Sequence, residues 1–307
     1  MKKLFISIIN YNSENETRAC LQSLSQCVTD GLELHVLVID NHSKDGFSLQ
    51  TNDFPKLLLS VIKNTSNEGF AAGHNKGISI GLKDNADYIM ILNNDTVVDK
   101  HMLMKLVSAL EVNERIGMVA PKIYFAKGSE FHKARYTKEE LGKVFWYAGG
   151  YTDWDNVRSI HRGVDEVDHG QYNKTEAVEF ISGCCMLIKR EVFDKTGFMN
   201  EKYFLYYEDA DFNERVKRAG YSLYYVPDAF LYHMNASSSG GAGNNLQDYF
   251  ITRNRMIFGM RYAPLRTKLA LIRESLQLLK NGRPYQKKGI KDFYFRRFGQ
   301  GTYFTRV

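Results

Sequence analysis

Residues 34–41 read LHVLVIDN, a nearly continuous apolar run that ends in an acid and an amide. Such a run is typical of a strand buried on both faces of a parallel sheet. Three other short runs have the same character, at residues 4–9, 57–62 and 88–92, and helical patterns lie between them. Strands that alternate with helices predict an α/β fold built on an open, mostly parallel sheet.

Polar turns follow three of these strands directly. Their side chains are Asn10, Tyr11 and Asn12 after the first strand, Asp40 and Asn41 after the second, and Asn93, Asn94 and Asp95 after the last. Asn and Asp are common turn residues, so each turn alone has a structural explanation. Because ligands of open α/β sheets bind beyond the carboxyl ends of the strands, three such turns on one edge favour a ligand site there.

A further acidic turn lies in residues 204–233, FLYYEDADFNERVKRAGYSLYYVPDAFLYH. Glu208, Asp209 and Asp211 fall at the predicted start of a helix, where free N–H groups and the helix dipole favour carboxylates. Helix capping would explain that placement without any chemistry. The acidic turn at Asp95 and the strand-end His233 leave open a second interpretation, in which these groups converge on one metal and one substrate.

Residues 67–77, NEGFAAGHNKG, are rich in glycine and open a predicted helix. Such a segment could bring backbone N–H groups close to a diphosphate. It does not fit the G-x-x-x-x-G-K-[ST] pattern, and no G-x-G-x-x-G follows the first strand. The sequence therefore disfavours a P-loop ATPase and an ordinary dehydrogenase.

The composition of the 307 residues, 44% hydrophobic and 25% charged, is ordinary for a soluble globular protein with one large core. Four cysteines lack C-x-x-C spacing, which favours reduced thiols over a metal site. The first apolar stretch breaks at Asn10, too early for a signal peptide, and no run approaches the ~18 apolar residues of a membrane span. We expect a cytoplasmic location, with peripheral contact to the inner face of the cytoplasmic membrane as a candidate.

The positive charge belongs to the tail. Residues 261–307 hold twelve Lys and Arg against two acids, a net charge of +10, whereas the first 260 residues carry −4. After Pro264, an apolar stripe predicts a helix whose leucines pack on the folded domain: Leu265, Leu269, Ile272, Leu276 and Leu279. In residues 283–307 basic and aromatic side chains interleave, which suits an anionic membrane surface. No nucleic-acid motif accompanies them, so no nucleic-acid partner is expected.

Taken together and in order, these motifs resemble family 2 glycosyltransferases. The matching stretches are IINYN, VIDN, NEGFAAGHNKG, YIMILNND, YAGG, FISGCCMLIKREVFDKTGFMNE and YYEDADFNERVKRAGY, within residues 4–260. The subgroup that they resemble comprises rhamnosyltransferase-like and galactofuranosyltransferase-like enzymes of bacterial surface polysaccharide synthesis. The resemblance implies a GT-A fold, a Rossmann-like, mostly parallel central sheet flanked by helices, here followed by a basic helical extension. It implies a catalytic domain at 1–260, with a nucleotide-binding half at about 1–100 and an acceptor half at about 101–260, and a separate segment at 261–307.

The resemblance also implies a donor site for a UDP- or dTDP-sugar. Tyr11 and Asp40 would hold the base, with Asp40 accepting from the ring N–H of uracil or thymine. The other residues implied at the nucleotide are Asn67, Gly69, Asn75 and Asn94. Residues 235–245 are small and polar, which by composition is typical of a surface loop; the sharper interpretation is a lid that closes over the bound donor.

A divalent cation is implied beside the donor diphosphate. Asn93, Asn94 and Asp95 occupy the family's Asp-x-Asp position, where Asp95 would ligate Mg²⁺ or Mn²⁺. His233 would complete the site. Asn93 replaces the first acid; its amide can still ligate or hold a metal-bound water, but the metal affinity should be lower.

For catalysis, the resemblance implies Asp209 as the general base of inverting transfer, with Glu208 orienting the acceptor or the base. Residues implied near the acceptor or the diphosphate are Gly183, Asp211, Arg253 and Arg255, with Asp211 alternatively pairing with Arg215. The acceptor would be a glycan hydroxyl, on a polyprenyl-diphosphate-linked intermediate of O-antigen or capsule. A non-catalytic sugar-nucleotide-binding module and a GT-A nucleotidyltransferase remain as alternatives. The latter usually has a basic first loop, which this chain lacks.

Overall fold

The computed structural model describes residues 1–44, 46–234 and 244–305, so most of the expected lid at 235–245 lies outside it. In these ranges ten strands form one sheet. They are β1 (Lys2–Asn10), β2 (Leu32–Asp40), β3 (Leu58–Lys63), β4 (Tyr88–Asn93), β5 (Thr96–Val98), β6 (Ile116–Phe125), β7 (Phe145–Tyr147), β10 (Glu176–Val178), β11 (Cys185–Lys189) and β12 (Ser222–His233). The main path of the sheet runs β10-β12-β6-β11-β4-β1-β2-β3, with β5 beside β12 and β7 beside β6. A separate hairpin comprises β8 (Gly150–Asp153) and β9 (Arg158–His161).

Helices cover the sheet and continue beyond it. They are α1 (Glu14–Leu24), α2 (Gly69–Lys83), α3 (Met102–Glu111), α4 (Arg190–Thr196), α5 (Glu208–Arg218), α6 (Asn245–Tyr262), α7 (Leu265–Asn281) and α8 (Pro284–Tyr294). No helix in the described ranges is long and apolar enough to cross a membrane.

The first half of the sheet is parallel, as the apolar runs predict. β3, β2, β1 and β4 lie side by side in the same direction. In this register Asn10 is opposite Asp40, and Ile9 is opposite Asn93. The polar turns after these strands therefore share one edge of the sheet.

The second half of the sheet brings the late chain to the same edge. β11 pairs antiparallel with β4, and β12 pairs parallel with β6. The short β5 runs antiparallel to β12, with Thr96 opposite His233. This register puts Asp95 beside His233, although the two residues are 138 positions apart.

Three glycines of α2 face the sheet rather than a ligand. A Cβ on Gly73 would lie 2.6 Å from Ile9, and a Cβ on Gly81 would lie 2.7 Å from Phe5. Gly77 is likewise pressed against β1. Their spacing of four residues lets the helix approach β1 closely. The glycines inside α2 therefore serve helix packing, and a close approach of backbone to a diphosphate stays a prediction for the start of the segment at Gly69.

The tail packs on α6 but leaves one face of α7 bare. Gly289 of α8 is so close to α6 that a Cβ there would lie 2.6 Å from the Tyr249 carbonyl. The residues of α7 that are buried are Thr267, Leu271 and Ser275. The predicted stripe lies on the other side, with exposed fractions of 74% at Leu265, 61% at Leu269, 37% at Ile272 and 59% at Leu276. The expectation that this stripe packs on the domain was therefore wrong for four of its five residues, because Thr267, Leu271 and Ser275 make that contact. The fifth, Leu279, is partly buried against the core.

Candidate active site

Asp40 is buried at the end of β2 and held by two neighbours. Its Oδ1 accepts hydrogen bonds from Asn10 Nδ2 at 2.9 Å and from the Ser43 hydroxyl at 2.5 Å. The Ser43 N–H contacts Oδ2 at 3.2 Å. Tyr11 follows Asn10 and is partly exposed. The structure thus brings Tyr11 and Asp40 to one edge with the carboxylate fixed in place.

Asn41, which the sequence placed in a polar turn without a specific role, organises the adjacent loop. Its Oδ1 accepts from Asn64 Nδ2 at 3.0 Å and from the Glu68 N–H at 3.1 Å. Its Nδ2 donates to Asn67 Oδ1 at 2.9 Å. Asn67 Oδ1 also accepts from the Gly69 N–H at 2.9 Å. The expected nucleotide residues Asn67 and Gly69 therefore lie in a loop that is fixed to the same sheet edge.

This loop also contacts the aromatic run before α5. The Phe70 N–H donates to the Phe204 carbonyl at 2.7 Å. Gly69 has a φ of +83°, and a Cβ there would lie 2.8 Å from Cγ of Phe204. Only glycine combines that backbone conformation with such a close approach. The nucleotide-side loop and the acidic turn are therefore packed together.

The aromatic run has an unusual backbone. Phe204, Tyr206 and Tyr207 have φ of +64°, +68° and +72°, a region that costs non-glycine residues on the order of 1 kcal/mol or more each. The side chain of Asn254 holds this conformation. Its Nδ2 donates at 2.8 Å to each of three carbonyls, those of Tyr203, Leu205 and Tyr206. The strained backbone therefore lies directly before the acidic residues at the start of α5.

Asp209 lies in the first turn of α5 and is partly exposed. Its Oδ2 accepts from the Gly183 N–H at 3.1 Å, and its Oδ1 accepts from the Ala210 N–H at 2.8 Å. Asn213, one turn later, donates to the Asp209 carbonyl at 2.6 Å. The same side chain pairs with both backbone groups of Ile181, at 2.8 and 2.9 Å. Asn213 thus ties the loop that carries Gly183 to the helix that carries Asp209.

Glu208 and Asp209 differ in their environments. Glu208 is 5% exposed, and among the described residues its Oε2 has no hydrogen-bond partner. Burial, and then repulsion from Asp209, raise the pKa of Glu208 well above its usual value. Burial also raises the pKa of Asp209, but the N–H groups of Gly183 and Ala210 oppose that shift. Within the pair, the proton is therefore favoured on Glu208 rather than on Asp209.

Asp95 and His233 are brought together, as expected for a shared site. His233 Nε2 lies 3.1 Å from Asp95 Oδ1, and both residues are buried. The His233 ring packs edge-on against Trp146, with centroids 4.6 Å apart. Asn94 instead turns towards α1, where its Nδ2 donates to the Ser13 hydroxyl at 2.7 Å.

The donor set fits a divalent cation only in part. In the part of the chain that the structure describes, no three His, Cys, Asp or Glu residues cluster as a metal site. A carboxylate, an imidazole and the partly exposed amide of Asn93 are nevertheless donors that Mn²⁺ accepts. His233 Nδ1 is buried and has no partner in the described ranges, so the ring lacks a second hydrogen bond to orient it. The residues suit a weakly held ion whose remaining ligands come from elsewhere.

The structure does not bring Asn75 or Asp211 to the site as available groups. Asn75 exchanges two 2.9 Å hydrogen bonds with the backbone of Met199, which favours a packing role. Asp211 is fully buried and pairs with Arg215 at 2.8 Å, the i+4 contact that the sequence offered as an alternative. Its other oxygen accepts from two tyrosine hydroxyls, those of Tyr203 and Tyr262.

The two arginines of α6, expected near the acceptor or the diphosphate, make contacts within the protein. Arg253 is fully buried and donates to the Tyr203 carbonyl at 3.0 Å and to Asn254 Oδ1 at 3.0 Å. Arg255 pairs with Glu274 of α7 at 2.6 Å and donates to the Asn156 carbonyl at 2.8 Å. Arg253 and its neighbour Asn254 therefore both contact the backbone at the start of the run before α5.

Asn213 and Asn254 were missed from the sequence although a signal was present. Both lie inside helices, where asparagine is disfavoured unless its side chain has a specific partner. Each is at most 1% exposed. Apart from the Asp209 carbonyl, the backbone partners are distant along the chain: Asn213 contacts Ile181, 32 positions away, and Asn254 contacts residues about 50 positions away.

Comparison with known proteins gives the chain's relatives. A family model described as glycosyl transferase family 2 matches residues 5–197. Low-salt glycan biosynthesis hexosyltransferase Agl10 of Haloferax volcanii is 24% identical over 255 residues, 83% of this chain and 74% of that protein. N-acetylglucosaminyl-diphospho-decaprenol L-rhamnosyltransferase of Mycobacterium tuberculosis is 26% identical over 215 residues, 67% of this chain and 68% of that protein. The dTDP-rhamnosyl transferase RfbF of Shigella flexneri is 24% identical over 233 residues, 75% and 68% of the two chains.

Solved structures share the fold at lower identity. GalNAc-T7, crystallised with UDP, GalNAc and Mn²⁺, has a TM-score of 0.60 at 14% identity, over 96% of this chain and 57% of its own. The mannosyltransferase PcManGT of Pyrobaculum calidifontis, in complex with GDP-Man and Mn²⁺, has a TM-score of 0.55 at 16% identity, over 95% and 74%. These neighbours are GT-A glycosyltransferases, and the expected fold is confirmed. Since the family model spans more than half of the chain, the protein belongs to glycosyl transferase family 2 and is a glycosyltransferase of GT-A fold.

Proposed function

We propose that the protein is an inverting glycosyltransferase in which Asp209 is the general base and a UDP- or dTDP-sugar is the donor. The hydroxyl of a glycan acceptor attacks the anomeric carbon, and a new C–O bond forms as the bond to the diphosphate breaks. The acceptor proton passes to Asp209, and the nucleoside diphosphate leaves.

The observation that carries this proposal is the contrast between Asp209 and Glu208. A base has to be ionised and within reach of the acceptor hydroxyl. Asp209 is partly exposed and fixed by two N–H groups, while Glu208 beside it is buried and favoured as the neutral acid. We propose that a neutral Glu208 keeps a second negative charge away from the base and helps orient Asp209 or the acceptor.

The donor would bind across the Phe70–Phe204 contact from Asp209. We propose that Tyr11 and Asp40 hold the base of the nucleotide, with Asp40 Oδ2 accepting from the ring N–H. Asn67 and Gly69 would border the nucleotide from the loop that Asn41 fixes. Because this loop packs on Phe204, five residues before Asp209, donor and base would be held in one rigid arrangement.

A divalent cation, Mn²⁺ or Mg²⁺, would be held by Asp95 and His233 with help from the Asn93 amide. Such an ion neutralises negative charge on a diphosphate leaving group. Asp95 and His233 are buried together, so they would hold the ion at a fixed position on the donor side.

The acceptor is proposed to be a polyprenyl-diphosphate-linked glycan of surface polysaccharide synthesis. The name of the Mycobacterium tuberculosis relative contains a diphospho-decaprenol acceptor, and that of RfbF contains a dTDP-rhamnosyl donor. We propose a cytoplasmic enzyme that acts at the inner face of the membrane. Residues 1–260 would be its catalytic unit, with the nucleotide half at about 1–100 and the acceptor half at about 101–260, and residues 261–307 its extension.

A donor screen tests the proposal. Melting temperatures measured with UDP- and dTDP-sugars, with and without Mn²⁺, identify the nucleotide that binds. Asp40→Asn, which changes the proposed contact to the base, is the control for that binding. The chosen donor, radiolabelled in its sugar, is then incubated with membranes that contain lipid-linked glycans. Label that enters the lipid fraction with wild type and not with Asp209→Asn supports the proposal. If no label enters the lipid fraction and added pyrophosphate instead converts the labelled donor to sugar 1-phosphate and nucleoside triphosphate, a nucleotidyltransferase is indicated and the proposal fails.

A further inference from the structure

The exposed stripe of α7 is the largest unexplained apolar feature of the described surface. Exposed large hydrophobic side chains are otherwise scattered over the protein, whereas four lie on this helix at i, i+4, i+7 and i+11: Leu265, Leu269, Ile272 and Leu276. Single exposed apolar residues are normal, but a continuous row marks an interaction surface. We call these four residues the leucine face.

Basic side chains border the leucine face on both sides. Arg266, Arg273 and Lys280 recur every seven residues, so they lie in a row along one flank, and Lys268 lies on the other. The three that form the row are exposed. None of these four cations forms an ion pair with any residue in the described ranges.

The acid of α7 does not offset this charge at the surface. Glu274 is the single acidic residue of the helix, and it lies opposite the leucine face. It pairs with Arg255 of α6 at 2.6 Å. The leucine face is therefore a strip of exposed apolar side chains between uncompensated positive charges.

Aromatic residues lie beside the strip. The Tyr294 hydroxyl is 2.6 Å from the Ser275 hydroxyl, which puts the end of α8 against the flank of α7. Tyr294 is 44% exposed and the adjacent Phe295 is 68% exposed. Arg296 and Arg297 follow and are exposed as well. Aromatic and basic side chains are favoured where a protein meets the headgroup region of a bilayer.

We propose that α7 lies flat on an anionic lipid bilayer, with its leucine face in the interface and its basic flanks against the headgroups. The same arrangement argues against a second copy of the chain as the occupant, because a symmetric contact would bring two sets of like charges together. An anionic bilayer supplies the opposite charge along the whole strip. The proposal does not depend on which sugar the enzyme transfers.

The position of α7 links this surface to the acidic turn. Leu271, on the buried side of the helix, packs on Gly259 of α6, and Val157 contacts the same glycine. The Tyr207 hydroxyl donates to the Val157 carbonyl at 2.8 Å. Tyr207 directly precedes Glu208. A bilayer on the leucine face would thus be linked to the start of α5 through a short series of packed residues.

Vesicle flotation of the full chain tests the proposal. Vesicles contain phosphatidylcholine alone or phosphatidylcholine with phosphatidylglycerol. Leu269→Ser/Leu276→Ser removes half of the leucine face, and Leu58→Ser/Val112→Ser removes two apolar side chains elsewhere that are 56% and 80% exposed. Arg266→Gln/Arg273→Gln removes one basic flank, and Lys133→Gln/Lys138→Gln is its control for charge.

We expect wild type to float with the anionic vesicles and hardly with the neutral ones. The leucine pair should weaken binding about 100-fold, and the arginine pair about 30-fold with a loss of salt dependence. The two control variants should float like wild type. All of these residues are exposed, so the variants should melt like wild type.

Three results would overturn the proposal. Wild type could fail to float with either vesicle, or the leucine pair could float as well as its control. Alternatively, sedimentation without lipid could show a dimer that Leu269→Ser/Leu276→Ser converts to a monomer, which would mean that a second copy covers the leucine face.

Discussion

The backbone N–H of Gly183 donates a hydrogen bond to Asp209 Oδ2 at 3.1 Å. The contact joins the loop before β11 to the first turn of α5. A Cβ on Gly183 would lie 3.4 Å from Cβ of Asp209 and 3.2 Å from the ring of Phe70. The proposed base, the loop and the nucleotide side therefore meet around one glycine, and changes in the supports of Asp209 should be seen in catalysis.

Asn213→Ala should lower kcat about 100-fold with little change in nucleotide affinity, because a small displacement of the base is costly to the chemical step. It should also lower the free energy of unfolding by about 2–3 kcal/mol, since it leaves buried groups of Ile181 unpaired. Asn75→Ala is the matched control, a buried asparagine that pairs with the backbone of Met199. It should lose similar stability and keep kcat; equal losses of kcat in both variants would refute the positioning role.

Glu208→Gln should remove a pH-dependent loss of stability. The ordinary pKa of a glutamate side chain is 4.5, so above that pH the unfolded chain releases the Glu208 proton, while burial keeps the proton bound in the folded protein. The contribution of Glu208 to the free energy of unfolding of wild type therefore falls with rising pH, by at most about 1.4 kcal/mol per pH unit, until the raised pKa is passed. Glutamine mimics the neutral acid and lacks this loss.

Urea denaturation of both proteins over a pH series measures the effect. The stability of Glu208→Gln relative to wild type should increase with pH, and the variant should keep most of its transferase activity near neutral pH. Parallel stability curves would mean that Glu208 is ionised in the folded protein.

Asn254→Asp should disturb both sides of the site. The carboxylate cannot donate to the three carbonyls of the aromatic run, and the left-handed residues Phe204, Tyr206 and Tyr207 lose their support. Because the Phe204 carbonyl also accepts from Phe70, nucleotide affinity should fall together with kcat. Hydrogen exchange of the Phe70 amide reports whether the aromatic run and the nucleotide-side loop are coupled. The exchange should be faster in the variant, and an unchanged rate would mean that the two segments are independent.

Asn93→Asp should raise the affinity for Mn²⁺ about tenfold by restoring a negatively charged ligand. Trp146 packs on His233 with ring centroids 4.6 Å apart, so its fluorescence should be quenched when paramagnetic Mn²⁺ binds. The chain has two tryptophans, and Trp154→Phe leaves Trp146 as the only reporter. A titration in this background should show tighter quenching for Asn93→Asp and little for His233→Ala. Identical curves for Asn93→Asp and its parent would mean that residue 93 does not face the ion.

The parallel half of the fold was predictable because its strands are apolar on both faces, as in residues 34–39. The turns after them follow from the same pattern, which explains why Asp40 and Asp95 could be placed at one edge. The supports of the acidic turn could not be read in this way. Asn213 and Asn254 act across long sequence separations, and nothing local indicates which backbone they contact. The α7 stripe was recognised as a helix face, but periodicity alone does not tell whether a face meets protein or solvent.

The most direct test of the central claim compares Asp209→Asn with wild type in transfer of the labelled sugar to the lipid-linked acceptor. Asparagine keeps the shape of the side chain but cannot take the acceptor proton, so kcat should fall by about 10²–10⁴-fold. The dissociation constant of the donor nucleotide should stay within a few-fold of wild type. A variant that keeps full transferase activity would show that Asp209 is not the base.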